Sequence, residues 1–141
     1  MSAPANRPPV LFAGEPGSFA EDAVIAAFGD AAEAQGVPSF REVVARVEAR
    51  VAPAGVLPIE NVVFGTIRET YDLLAEIPVG IVGEVIVPVR LCLAALPGER
   101  IEAIDRVYSH VQALGQAERF LRTRPWSLLA TANTAGSGKM I

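Results

Sequence analysis

Short apolar runs alternate along this chain with stretches in which apolar residues recur every three or four positions. Val10-Leu11-Phe12-Ala13 predicts a first strand, closed by the turn Gly14-Glu15-Pro16-Gly17. Ser18 with Glu21 three residues on then forms an S-x-x-E capping box, and Ala23, Val24, Ala27 and Phe28 supply the apolar stripe of the helix behind it. Gln35 to Phe40 predicts a second strand, followed by Ser39 with Glu42 and an inward side of Val43, Val44 and Val47. Gly55-Val56-Leu57-Pro58-Ile59 is a third run, of the kind that fills the middle of a sheet covered on both faces. Thr66 with Glu69 opens the next helix, carrying Ile67, Thr70, Tyr71 and Leu74 at helical spacing. Ile77 to Leu96 predicts two consecutive extended segments, because its alternation and two prolines disfavour one long helix. Arg106 to Ser109 is the following strand. Ser109 with Gln112 then caps a helix whose periodic face is Ala113, Leu114, Ala117, Phe120 and Leu121, and Trp126 to Ala130 predicts the last strand.

Capping boxes at Ser18, Ser39, Thr66 and Ser109 each follow a strand-like run, a pattern that predicts an α/β protein with mostly parallel sheets. Right-handed crossovers set the helix N-termini along one edge, where strand ends and free N–H groups bind ligands. Glu60, Asn61, Gly65 and Thr66 fall at such a junction and are candidates for small-molecule contact.

Composition narrows the classes. An apolar content of 51% with 20% charged residues excludes a disordered chain, and buried parallel strands account for the positive mean hydropathy. Glu84 and Arg90 interrupt the longest apolar stretch, so no membrane span is expected. Met1 to Pro9 is Pro-rich and polar with no signal-peptide core; residues 1–7 are expected to be a disordered arm, and the expected compartment is the cytoplasm. A net charge of −4 without a Lys/Arg cluster disfavours nucleic acid. One Cys and one His give neither a disulfide nor a metal cluster, so Cys92 is expected to be a small buried apolar residue. Glu84, among apolar neighbours, is expected to cap a backbone or pair with an arginine. Gly138-Lys139 fails as a phosphate loop, since Asn133 and Met140 stand where that motif needs Gly and Ser/Thr; no G-x-G-x-x-G follows a strand either.

Several stretches together carry a resemblance. P-I-E-N at 58–61 followed by G-T-I and E-T-Y-D-L-L, the loop G-E-P-G-S-F-A-E-D-A, the run I-V-G-E-V-x-x-P-V-x-x-C-L-x-A-L-P-G, S-H-x-Q-A-L at 109–114 and N-T-A at 133–135 are similar to the prephenate dehydratase and arogenate dehydratase family, nearest its arogenate-type members. The resemblance implies a fold of two α/β lobes hinged like type II periplasmic-binding proteins, residues 8–105 forming the first and 106–141 an incomplete second. It also implies a family unit that continues past Ile141 through a T-R-F motif, whose Thr is regarded as essential, and usually into a regulatory ACT domain.

The implied reaction converts prephenate to phenylpyruvate, or arogenate to phenylalanine, by loss of carbon dioxide and hydroxide, and needs no cofactor or metal. Gly65, Thr66, Ser109, Gln112, Thr134 and Ala135 are the candidates for holding a dicarboxylate, and Glu60, Asn61 and His110 for orienting the ring and its hydroxyl. Two departures stand out: Val111 replaces the family's Pro in S-H-P-Q, and Val62 replaces the Ser of E-N-S. The alternative is a non-catalytic module that binds prephenate, arogenate or an aromatic amino acid. The family further implies a homo-oligomer, a dimer or tetramer.

Overall fold

A computed structural model describes residues 7–141; the expected arm at 1–7 therefore lies outside the described residues except for Arg7. The chain forms two compact units, the first ending at Pro88 and the second beginning at Val89. The boundary expected from sequence lay further on, after residue 105.

The first unit contains β1 (Pro9–Ala13), α1 (Phe19–Phe28), β2 (Glu33–Val37), α2 (Phe40–Glu48), β3 (Ala54–Val56), β4 (Glu60–Asn61), β5 (Gly65–Thr66) and α3 (Arg68–Glu76). Parallel pairing gives the order β2-β1-β3, with Leu11 opposite both Gln35 and Gly55. Side chains alternate across β1 as strand geometry requires. Val10 and Phe12 pack with Val24 and Ala32, while Leu11 packs with Val37, Val43 and Ala52. Each large side chain so buried contributes about 1.5–3 kcal/mol. Gly55 lets α2 lie close on β3, because a Cβ there would collide with Val43 Cγ1.

At two of the expected capping boxes the serine cap forms. Ser18 Oγ accepts the Glu21 amide at 3.4 Å and Ser39 Oγ accepts the Glu42 amide at 3.2 Å. At the third it does not: α3 has Ile67 as its N-cap, with no side-chain cap, and Thr66 belongs to β5. Antiparallel pairing with Glu60 and a 3.0 Å bond from the Ile67 amide to the Ile59 carbonyl keep the chain extended until Arg68. The third apolar run is also shorter than expected and lies at a sheet edge, not its middle. Pro58 has no N–H to offer a ladder, and the chain turns after it into the β4–β5 hairpin.

Residues 77–100 contain no strand, against the two extended segments expected, and among the described residues no backbone–backbone hydrogen bond involves 80–95. Among the described residues the apolar pattern there has no strand to pair with. Cys92 is exposed, not buried, for the same reason, and Glu84 takes part in none of the ion pairs of the described residues.

The second unit contains β6 (Arg106–Ser109), α4 (Val111–Gln116), α5 (Glu118–Leu121), β7 (Ser127–Ala130) and α6 (Thr134–Ser137), with β6 and β7 parallel. The helix expected over this stretch breaks into two at Ala117. Phe120 meets Trp126 edge-on at 5.9 Å, and the Arg124 guanidinium lies 5.5 Å from each ring. Among the described residues no helix is long and apolar enough to cross a membrane.

Candidate functional site

In the second unit β6 and β7 end side by side, Ser109 opposite Ala130, and both strands lead into helices at that end. Ser109 is buried, and its Oγ donates to Thr134 Oγ1 at 3.3 Å. The Thr131 amide closes the junction by donating to the Ser109 carbonyl at 2.9 Å. Thr131 Oγ1 and Ser137 Oγ lie 2.6 Å apart, and the Ser137 hydroxyl donates to the Asn133 carbonyl at 2.9 Å. Asn133 Oδ1 caps α6 by accepting the Gly136 amide. The result is a cluster of hydroxyls at the carboxyl ends of parallel strands, where an oxyanion can be bound without a fixed positive charge. Sequence reasoning chose Ser109, Thr134 and Ala135 but missed Thr131 and Ser137. Their signal was the hydroxyl-rich run T-A-N-T-A-G-S at 131–137; only the one-turn helix between them brings the two hydroxyls together.

The capping box expected from Ser109 is replaced by a cap one residue later. His110 is the N-cap of α4, and its Nδ1 accepts the Gln112 amide at 3.3 Å. Ser109 has turned inward to Thr134 and is not available for the task. With Nδ1 an acceptor, the neutral imidazole carries its proton on Nε2. Gln112 and Thr134 are exposed, and Ala135 lies within α6.

Glu60, Asn61, Gly65 and Thr66 come together in the first unit as a two-by-two hairpin, Glu60 opposite Thr66 and Asn61 opposite Gly65. Asn61 Oδ1 accepts the amides of Val63 and Phe64 at 2.9 and 3.1 Å, which folds the turn, and Gly65 supplies the positive φ of 77° that completes it. Val62 at the tip is fully exposed. Below the hairpin, Thr70 Oγ1 donates to the Pro58 carbonyl at 2.7 Å and ties α3 to the segment carrying Glu60.

Shifted ionisations lie away from these residues. The Asp105 carboxylate, by hydrogen bond and charge, raises the Arg106 guanidinium further, at the opposite end of β6 from Ser109. Arg41 hydrogen-bonds Glu76 through both guanidinium nitrogens, at 2.9 and 2.8 Å, and holds that carboxyl below its usual value. A depression of about 730 Å³ near Arg7, Glu21, Ile25, Asp30 and Glu33 holds none of the candidates, and its carboxylates suit a dianion poorly.

Parallel strands followed directly by helices, with hydroxyls gathered at the ends of β6 and β7, define an α/β protein of the kind in which that end of the sheet is where ligands bind. The family model for prephenate dehydratase matches residues 10–141, and the chain belongs to that family. It is 40% identical over 134 residues to arogenate dehydratase 5, chloroplastic, of Arabidopsis thaliana, covering 94% of this chain and 31% of that protein. Against the bifunctional chorismate mutase/prephenate dehydratase of Aquifex aeolicus it is 34% identical over 112 residues, covering 79% and 31%. A solved structure of GqqA, described as a novel type of quorum quenching acylase, superposes with a TM-score of 0.82 at 26% identity, covering 94% of this chain and 48% of that one. The chain thus spans about a third of the length of these curated relatives. The fold class read from sequence, α/β with mostly parallel sheets of the periplasmic-binding-protein-like type, agrees with this neighbour.

Proposed function

We propose that this chain supplies substrate-binding groups for the decarboxylative dehydration of prephenate to phenylpyruvate, or of arogenate to phenylalanine, in phenylalanine biosynthesis. The observation that carries the reading is the Ser109–Thr134 hydroxyl pair at the strand ends, in a chain of the dehydratase family. Such a reaction must hold two carboxylates and give a proton or strong hydrogen bond to the departing hydroxyl, while aromatisation drives loss of carbon dioxide. Thr134, whose hydroxyl is oriented by the Ser109 O–H, and the amides at Thr134 and Ala135 suit a carboxylate, with Gln112 as a further polar contact. His110 suits the leaving hydroxyl, because its Nε2–H is the donor left once Nδ1 holds the Gln112 amide. The substrate is thus a small dicarboxylate, and the protein acts in the cytoplasm as a homo-oligomer.

A second reading, binding without turnover, is favoured by Val62: the hydroxyl of E-N-S is replaced by an apolar branch that points into solvent. Incubating the purified chain with prephenate or arogenate while following phenylpyruvate or phenylalanine, beside calorimetric titration with both substrates, separates the two. Product formation supports the dehydratase; saturable heat without product supports the binding module; neither overturns both.

A further inference from the structure

Thr131 and Ser137 bring two more hydroxyls to the strand ends, and both converge on the peptide that precedes Thr134. Ser137, 5% exposed, donates to the Asn133 carbonyl at 2.9 Å, while Thr131 Oγ1 lies 2.6 Å from Ser137 Oγ and 3.2 Å from that carbonyl. A hydroxyl has one hydrogen to give. With that of Ser137 spent on the carbonyl, Thr131 donates across the 2.6 Å contact, and the bonds run from Thr131 to Ser137 to the Asn133 carbonyl. We propose that Thr131 and Ser137 are positioning residues: they fix the Asn133–Thr134 peptide and so aim the Thr134 hydroxyl at the substrate carboxylate. This rests on the dehydratase reading of the site and gives it two further residues.

A peptide group is planar, so a carbonyl held at one end fixes the direction in which the chain leaves for Thr134 Cα at the other. From there Thr134 keeps little freedom. Its backbone lies in the first turn of α6, its β-branched side chain has few χ1 positions, and the Ser109 hydroxyl donates to its Oγ1 at 3.3 Å. Thr134 is exposed whereas Ser137 is buried, so the hydroxyl that meets the substrate is the outer end of a network shielded from water at its inner one. The same turn is tight around Asn133, whose Oδ1 accepts the Gly136 amide; a Cβ on residue 136 would stand 2.7 Å from that oxygen. A helix of four residues is too short to hold its own first turn, and the two hydroxyls supply that hold. Each substitutes for the other. In Ser137→Ala the Thr131 hydrogen turns to the carbonyl at 3.2 Å, and in Thr131→Val the 2.9 Å bond from Ser137 remains, so only their joint loss frees the peptide.

Calorimetric titration of the whole chain with prephenate tests this role, beside circular dichroism melts that identify any variant that has failed to fold. Ser137→Ala and Thr131→Val are each expected to weaken binding about threefold, and the two together about thirtyfold, more than the product of the single losses. Thr131→Ser keeps the hydroxyl and is expected to bind as the native chain does. A general loosening of the unit is separated from aiming by Thr134→Val: once the aimed hydroxyl is gone, the paired change is expected to weaken binding by no more than about threefold further. Should the paired variant not fold, the single variants in both backgrounds decide in its place. Native affinity in the single and paired variants, losses as large in the Thr134→Val background as without it, or a Thr131→Ser chain that binds no better than Thr131→Val overturn the positioning role and leave the carboxylate site standing. A native chain that binds no prephenate overturns the site and this role together.

Discussion

At His110 a single side chain has a structural contact and a chemical one, and substitution can separate them. Nδ1 accepts the Gln112 amide and caps α4, leaving Nε2–H as the donor. His110→Ala removes both and is expected to cost about 0.5–2 kcal/mol of stability. His110→Ser restores an oxygen for the cap and returns most of that loss, while substrate binding or turnover stays as low as in the alanine variant. Thermal melts beside titrations check this; full function in the serine variant would show that the imidazole serves only as a cap. The S-x-x-Q pattern revealed that a helix starts here but not which residue caps it. Ser109 and His110 are both competent caps, and the choice is made by Thr134, twenty-five residues away, which draws the Ser109 hydroxyl inward. Long-range competition of this kind leaves no mark in local spacing.

At the scale of elements, β1 with its two covering helices was legible because each signal is local: an unbroken apolar run, a hydroxyl cap, a stripe at helical period. The β4–β5 hairpin was not. Its strands are two residues each, too short for any alternation to register, and its turn is built by the Asn61 side chain. Thr70 holds this hairpin's approach to α3 through a bond to the Pro58 carbonyl in a fully buried position. Thr70→Val keeps the shape but strips the donor, and is expected to destabilise the chain by about 1–3 kcal/mol by chemical denaturation. A change of less than a few tenths would mean that the carbonyl finds another donor. The α2–α3 link through Arg41 and Glu76 predicts a pH dependence. Arg41, by hydrogen bond and then by charge, lowers the folded-state pKa of Glu76 below the ordinary carboxylate value. Its contribution is present above the unfolded pKa and fades as pH falls through the folded one. Melting temperatures of the native chain and Arg41→Ala should therefore differ at neutral pH and converge in acid. A gap that widens on acidification would contradict this sign.

At the scale of the whole molecule, the motifs identified the family before any geometry was known, because motif residues mark strand ends wherever they occur. What they could not convey was residues 77–100. Alternation there signalled strands, yet a strand exists only with a partner, and among the described residues 80–95 has none. The hydroxyl cluster was half legible for a similar reason: Ser109 and Thr134 lie in motifs, whereas Thr131 and Ser137 join them only through the fold. The central claim is that the strand-end hydroxyls of the second unit bind a carboxylate of a prephenate-like dianion. It is tested most directly by titrating the native chain and Thr134→Val with prephenate by calorimetry, since Thr134 accepts from Ser109 and keeps its own O–H to donate. Losing a hydrogen bond to a charged group is expected to weaken binding by about 10- to 100-fold with the fold intact. Equal affinity in the two proteins, or no binding to the native chain, would contradict it.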